Sequence, residues 1–245
     1  MTVKISKSIL SDDSFTGTVA VINSHRDEYE YNNIGFLTSY FSSEGGVFFD
    51  IGANIGSYAL VQAENPSVRV VAFEPMARTF QKLSNNIRRN ARENIIALNC
   101  AISDRNGTIS MTDNKESAVN HVVSSDDAGS GAVEVACRTL ASVCNEIGLV
   151  PDIVKMDIEG HEISALDGFG NVTAHIAAII VERGERPEIR EFFDDAGFIG
   201  PVYFHREEGV INSSPPIRKT DSLFLNRARL DDTGRRLGFE IRDIG

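Results

Sequence analysis

The stretch VFFDIGANIGSYALVQA, Val47 to Ala63, runs apolar to a carboxylate, Asp50, and then enters a glycine turn. The pattern predicts a buried strand, a tight Gly52-x-x-x-Gly56 turn, and a helix with a small-residue face over Ser57–Glu64. Turns that join a strand to a helix in this way usually cradle phosphate, because the first amides of the helix have no intrahelical partner. A carboxylate at the mouth of such a turn repels phosphate. The sign of the charge at Asp50 therefore decides what the turn can hold.

Outward from this stretch the chain alternates. VRVVAFE (Val68–Glu74) reads as a second strand. MARTFQKLSNNIRRNA (Met76–Ala91) has Phe80, Leu83 and Ile87 at helical spacing, and NIIALNCAI (Asn94–Ile102) reads as a third strand. Strand, helix, strand at this pace means a parallel sheet with crossover helices. The Asn106–Gly107 pair then marks a hairpin-like excursion. The polar run Thr112–Ala132 reads as a long loop, a candidate lid over a binding site, with His121 inside it. VEVACRTL returns as a strand, and Thr139–Gly148 is a helix capped by Thr139 and stopped by Gly148. A strand over Ile153–Asp157, a short helix over His161–Phe169, a strand over His175–Glu182 and a helix over Pro187–Gly197 continue the alternation. FIGPVYFH and TDSLFLNR (Thr220–Arg227) read as two closing antiparallel strands, with the polar loop His205–Lys219 between them as a second candidate for acceptor contacts. The expected fold is α/β and Rossmann-like: a seven-stranded, mostly parallel sheet with helices on both faces and a C-terminal antiparallel hairpin. Residues 1–46 read as an N-terminal extension, with a strand at Thr18–Ile22 and an amphipathic helix at Asn32–Ser43, placed before one domain over residues 47–245. Tyr29 and Tyr31 of the extension could stack on a sugar, seal a core edge or line a homodimer interface.

Three ligands compete for Asp50–Gly56. A P-loop ends in Gly-Lys-Ser/Thr, and Gly56 is followed directly by Ser57. A dinucleotide turn has a middle glycine where the backbone meets the pyrophosphate, and that position is Asn54. S-adenosylmethionine has no phosphate; its amino-acid end carries an ammonium and its sulfur is a cation. Asp50 attracts that charge, Gly52 and Gly56 let backbone pass close to the ligand, and the amides of the following helix can meet the methionyl carboxylate. Glu74, ending the second strand before Pro75, stands where nucleoside-binding folds bind ribose hydroxyls. Ribose is common to NAD and S-adenosylmethionine, so Asp50 separates the two, with an NAD-linked oxidoreductase as the alternative and a non-catalytic S-adenosylmethionine-binding protein as another.

The segments FFDIGANIGSYAL, VVAFEP, NCAISDRNGTISM, RTLASV and VKMDIEGHE occur in the order and spacing of the FkbM family of S-adenosylmethionine-dependent methyltransferases, which the chain resembles from Val47 to Glu182. The resemblance implies the class I methyltransferase fold and methyl transfer to a hydroxyl of a sugar, polyketide or similar small molecule. Ligands of open α/β sheets sit beyond the carboxyl ends of the strands. The cofactor residues expected there are Asp50, Gly52, Ala53, Asn54, Gly56, Ser57, Glu74, Pro75, Ala101, Ile102, Ser103 and Asp157. The stretch Asn99–Ser103 should flank the adenine, with Asp104 as an acid for its exocyclic amine. MDIEGHE is the reactive cluster. His161 could be the general base, since its ordinary pKa lies near neutrality. Asp157 could be the base or orient the hydroxyl. Asp157 and Glu159 could instead hold Mg²⁺, which would acidify it. Glu162 could belong to this cluster or merely favour the start of the next helix.

The bulk numbers fit this reading. The chain has 245 residues and a formal net charge of −11, which argues against nucleic acid or an anionic membrane as the main partner. Its three cysteines are scattered and suit neither a disulfide framework nor a zinc site. MTVKISKSILSDDSF lacks the apolar core of a signal peptide, so a cytoplasmic location is expected.

Overall fold

The computed structural model describes residues 29–113, 120–122, 132–206, 208–215, 221–238, 241 and 244. The expected strand at Thr18–Ile22 and most of the loop Thr112–Ala132 lie outside these residues, as do the side chains of Tyr29 and Tyr31.

β1 (Gly46–Ile51) sits in the middle of the main sheet, parallel to β2 (Val68–Phe73) on one side and to β7 (Ile153–Met156) on the other. β3 (Ile95–Leu98) extends the parallel set beyond β2, and β8 (Ala178–Val181) extends it beyond β7. The helices between these strands are α2 (Ser57–Gln62), α3 (Ala77–Arg89), α4 (Leu140–Ile147) and α5 (Glu162–Asp167). They bury both faces of the sheet, which is why β1, β7 and β8 carry near-continuous apolar runs rather than alternation. Phe48, Val70, Ile153 and Ile180 face one layer of core; Phe49, Val71, Val154 and Ile179 face the other.

Two expectations about strands are corrected. The third strand is two. After β3 the chain turns at Asn99, whose side-chain amide donates to the carbonyls of Glu74 (2.8 Å) and Pro75 (2.9 Å). It then enters β4 (Ala101–Ile102), which belongs to a separate small sheet with β5 (Gly107–Thr112) and β6 (Ala132–Arg138), in the order β4-β6-β5. The main sheet has eight strands, in the order β10-β9-β11-β8-β7-β1-β2-β3. After α6 (Pro187–Asp195), β9 (Phe198–His205) forms a hairpin with the short β10 (Val210–Asn212). β11 (Ser222–Asn226) inserts antiparallel between β8 and β9. The closing strands do pair antiparallel, but β10 supplies the extra strand and takes the described part of the His205–Lys219 segment to the outer edge of the sheet.

α1 (Tyr29–Tyr40) presents Ile34, Phe36, Leu37 and Tyr40 to the same core, and Phe36 meets Phe204 of β9 edge-on at 6.1 Å between ring centres. A closing helix, α7 (Leu230–Leu237), packs against α1. Arg236 of α7 lies over the Tyr40 ring at 4.8 Å and donates to the carbonyl of Gly45. Among the described residues no helix is long and apolar enough to cross a membrane.

The first turn is held by close backbone packing. At Gly52 (φ +80°) a Cβ would stand 2.0 Å from the carbonyl oxygen of Asp157. Gly52→Ala is therefore expected to destabilise the fold by roughly 2–3 kcal/mol, from the left-handed backbone and the clash together. Thermal unfolding checks this, and an unchanged melting temperature would contradict the packing described.

Candidate active site

Each of the four central parallel strands delivers an acid at or just beyond its carboxyl end: Asp50 in β1, Glu74 after β2, Asp157 after β7 and Glu182 after β8. A cavity of about 230 Å³ opens there. Asp50, Gly52, Ala53, Asn54 and Ser57 line it from the first turn. Glu74 and Pro75 line it from the end of β2, Ala101 and Ile102 from β4, and Asp157, Glu159 and His161 from the loop after β7. Two expected residues stand behind the wall. Gly56 is favoured by its left-handed backbone (φ +100°), and a Cβ there would crowd the end of the Leu83 side chain of α3 at 2.8 Å. Ser103 is fully buried and reaches the cavity only through His161.

Asp50 is 1% exposed. Its Oδ2 accepts the amide of Ala59 at 3.1 Å, while its Oδ1 has no hydrogen-bond partner among the described residues. An orphaned carboxylate oxygen at this depth costs stability unless a ligand completes it. Burial raises the Asp50 pKa to about 6, against the opposing pull of Lys155. Glu74 is equally enclosed. Its Oε2 accepts the amide of Asn54 (3.0 Å) and its Oε1 that of Met76 (2.9 Å). These bonds fix the carboxylate and leave a lone pair on each oxygen. Burial raises the Glu74 pKa to about 7.

Three amides of the turn are already used. Gly52 and Ala53 both donate to the carbonyl of Phe73, at 3.0 and 2.9 Å, and Asn54 donates to Glu74. A diphosphate seeking the N–H cradle of a dinucleotide turn would find these three donors taken.

Beside Asp50 lies a cation that the sequence reading passed over. Lys155 is the cross-strand partner of Asp50. Its Nζ sits 3.1 Å from Asp157 Oδ2 and 4.7 Å from the centre of the Tyr58 ring, and the residue is 4% exposed. The signal was present: a lysine inside the apolar run DIVKM, two positions before Asp157 and so on the same strand face. Lys155 holds the Asp157 carboxyl below the usual carboxylate range.

His161 is oriented by a chain of hydrogen bonds. Ser103 Oγ donates to Asp104 Oδ1 at 3.0 Å and lies 3.0 Å from His161 Nε2. With the serine proton committed to Asp104, Nε2 carries the ring hydrogen and donates to Ser103, so Nδ1 is the basic nitrogen. Burial lowers the His161 pKa, which keeps the ring neutral at neutral pH. Asp104 is thereby reassigned: it does not line the cavity, and it also pairs with Arg105.

Carboxylate oxygens of Asp157, Glu159 and Glu182 lie within 4.8 Å of one another. Burial, then the charges of Asp157 and Glu159, raise the Glu182 pKa to about 7. Glu159 (φ +51°) and Arg183 (φ +56°) both adopt left-handed backbone and pair at 3.4 Å. Glu162 stays out of the cavity. It is fully buried, accepting the amide of Gly160 at 2.9 Å and pairing with Arg186. The described part of His205–Lys219 does not reach the cavity either, because β10 lies at the far edge of the sheet. Tyr58, Met76, Met111 and Ile158 also line the cavity without having been expected there, and Asn120 and Val122 line it from the loop expected as a lid.

The family model described as the methyltransferase FkbM domain matches residues 50–199, more than half of the chain. Among curated proteins, the chain is 32% identical over 142 residues to the hexuronic acid methyltransferase AglP of Haloferax volcanii, covering 58% of this chain and 57% of that protein. It is 28% identical over 186 residues to methyltransferase sdnD of Sordaria araneosa, covering 61% and 72%. It is 36% identical over 101 residues to the 31-O-demethyl-FK506 methyltransferase FkbM of Streptomyces tacrolimicus, covering 39% and 38%. The match thus spans little more than half the length of AglP.

Proposed function

Because this chain belongs to the FkbM methyltransferase domain family, we propose that it transfers a methyl group from S-adenosylmethionine to a hydroxyl of a small molecule of sugar or natural-product type. The observation that carries the reading is Asp50: a buried carboxylate lining the cavity, with one oxygen lacking a partner among the described residues, above a turn whose Gly52, Ala53 and Asn54 amides are already bonded. Two buried carboxylates with lone pairs to spare suit a ligand with an ammonium and ribose hydroxyls, and their charge opposes a diphosphate. The acceptor class is drawn from the relatives named for a hexuronic acid and for 31-O-demethyl-FK506.

Asp50 would hold the methionyl ammonium, and Glu74 would accept hydrogen bonds from the ribose hydroxyls. S-adenosylmethionine supplies a methyl group activated by its cationic sulfur, so the protein's part is alignment, exclusion of water and removal of one proton. Well-oriented reactants can recover about 7–11 kcal/mol of a barrier. Asp157, kept ionised by Lys155, orients the acceptor hydroxyl. His161 Nδ1 takes its proton, and the Ser103–Asp104 pair steadies the imidazolium that results.

His161→Ala is expected to lower kcat about a hundredfold while leaving cofactor affinity unchanged. A base works deprotonated, and the His161 pKa is depressed. The wild-type rate should therefore rise with pH through a value below the ordinary histidine range and then level off; the variant should lose that limb. A retained limb would move the proton to another group.

Asp157 and Glu159 already face protein cations, Lys155 at 3.1 Å and Arg183 at 3.4 Å. A Mg²⁺ ion shared by them would compete with both. Turnover is expected to survive EDTA; loss of turnover, restored by added Mg²⁺, would give these carboxylates to a metal.

A further inference from the structure

The wall of the cavity beyond Glu74 is built from the excursion between β4 and β6. Met111 of β5 and Val122 form an antiparallel bridge. The amide of Thr112 donates to the carbonyl of His121 at 3.0 Å, and the amide of His121 donates back to Thr112 Oγ1 at 3.1 Å. Thr112 Oγ1 also donates to Asn120 Oδ1 at 3.3 Å. The three residues 120–122 are thus fastened along β5, and Asn120, Val122 and Met111 all line the cavity. Asn120 is 7% exposed. Met111 packs with Met76, Ala101 and Ile109, and Val122 leans on the same cluster.

This end of the cavity is apolar, with two thioethers, Met76 and Met111, and a single buried amide. Polarisable sulfur packs well against an aromatic face. An amide can both donate to and accept from the edge of a heterocycle. A phosphate or a sugar would find no charge and few donors here; a flat, edge-polar base would be well served. Glu74, the ribose residue of the proposed function, is two residues from Met76, so a base attached to that ribose falls beside the slot.

We infer that Met111, Asn120 and Val122 form the wall that binds the purine base of the nucleoside ligand, with the Asn120 amide selecting for the adenine edge. The inference rests on the proposed S-adenosylmethionine reading and deepens it. It assigns these three residues of the excursion to cofactor selection rather than to the acceptor.

The test is calorimetric titration of wild type, Asn120→Ala and Val122→Ser with S-adenosylhomocysteine, its 6-oxo analogue S-inosylhomocysteine, and 5′-methylthioadenosine, which has base and ribose but no amino-acid end. Both variants should weaken S-adenosylhomocysteine and 5′-methylthioadenosine by a similar factor, about tenfold. Wild type should prefer the adenosyl over the inosyl ligand, and Asn120→Ala should lose most of that preference. Folded variants that bind all three ligands like wild type would overturn the assignment. So would variants that weaken S-adenosylhomocysteine alone, since the wall would then serve the amino-acid end. A wild-type protein that binds none of the three would remove the proposed function itself, and this inference with it.

Discussion

Asp50→Ala is expected to weaken S-adenosylhomocysteine binding by about a thousandfold, because truncating one partner of a buried charge pair removes its attraction and leaves the ligand's ammonium desolvated. The effect should be this large because Asp50 is sealed in the protein with one oxygen awaiting a donor. Asp50→Asn separates charge from shape. Its side-chain oxygen can still accept the Ala59 amide, so the fold should hold, while affinity still falls steeply. The pH dependence follows from the same group. In the empty protein burial raises the Asp50 pKa to about 6, and a cationic ligand binds the ionised form. Affinity should therefore be level above that pH and fall about tenfold for each unit below it. The raised pKa also means that the empty fold takes up this proton more readily than the unfolded chain does. That contribution to stability is present in acid and is lost as the pH rises through about 6. Opposite pH trends for ligand affinity and empty-protein stability are a signature that a carboxylate with an ordinary pKa would not give.

The second large effect is expected at Asp157. Asp157→Ala takes one carboxylate from the buried Lys155 ammonium, with Asp50 and the Tyr58 ring still beside it and Asp157 itself partly exposed, which costs roughly 1–2 kcal/mol of stability. Turnover should fall by a hundredfold or more, because the acceptor hydroxyl loses its orienting group. The two losses can be told apart. The double variant Lys155→Met, Asp157→Leu removes both charges and should recover most of the stability, while turnover stays lost. Equal recovery of stability and activity would mean that Asp157 serves the fold alone. Acid should also act here: a carboxyl held below its ordinary range gives stability that is present at neutral pH and lost as the pH falls through its depressed folded-state value.

The parallel core was legible because its signals are local. An apolar run closed by an acid, a glycine turn and a helical repeat each occupy a few residues, and their alternation permits few topologies. The position of Asp50 was legible for the same reason: an acid closing an apolar run before a glycine turn lies at the sheet's mouth, and it lines the cavity there. What escaped depends on contacts between distant segments. Asn99 breaks an apolar run that reads as one strand because its amide bonds to Glu74 and Pro75, which lie far back in the sequence. β10 is three residues long and is fixed by its pairing with β9, and α7 is placed by packing against α1 from the other end of the described chain. Asp104 sits next to the expected adenine region, but its partner is Ser103 and, through it, His161, from a different strand end. Glycine 56 shows the same limit: its place in the motif suggests close approach to a ligand, and its neighbour is Leu83. Asn120 and Val122 lie in a stretch whose composition reads only as polar loop, and their role comes from the hydrogen bonds that fasten them to Thr112.

The most direct measurement is a pair of titrations of the same purified chain, one with S-adenosylhomocysteine and one with NAD, followed by heat of binding at neutral pH. A saturating, one-to-one signal is expected with the first and none with the second, since a buried Asp50 favours an ammonium over a diphosphate and the Gly52, Ala53 and Asn54 amides are already bonded. Saturable binding of NAD with no response to S-adenosylhomocysteine would contradict this reading.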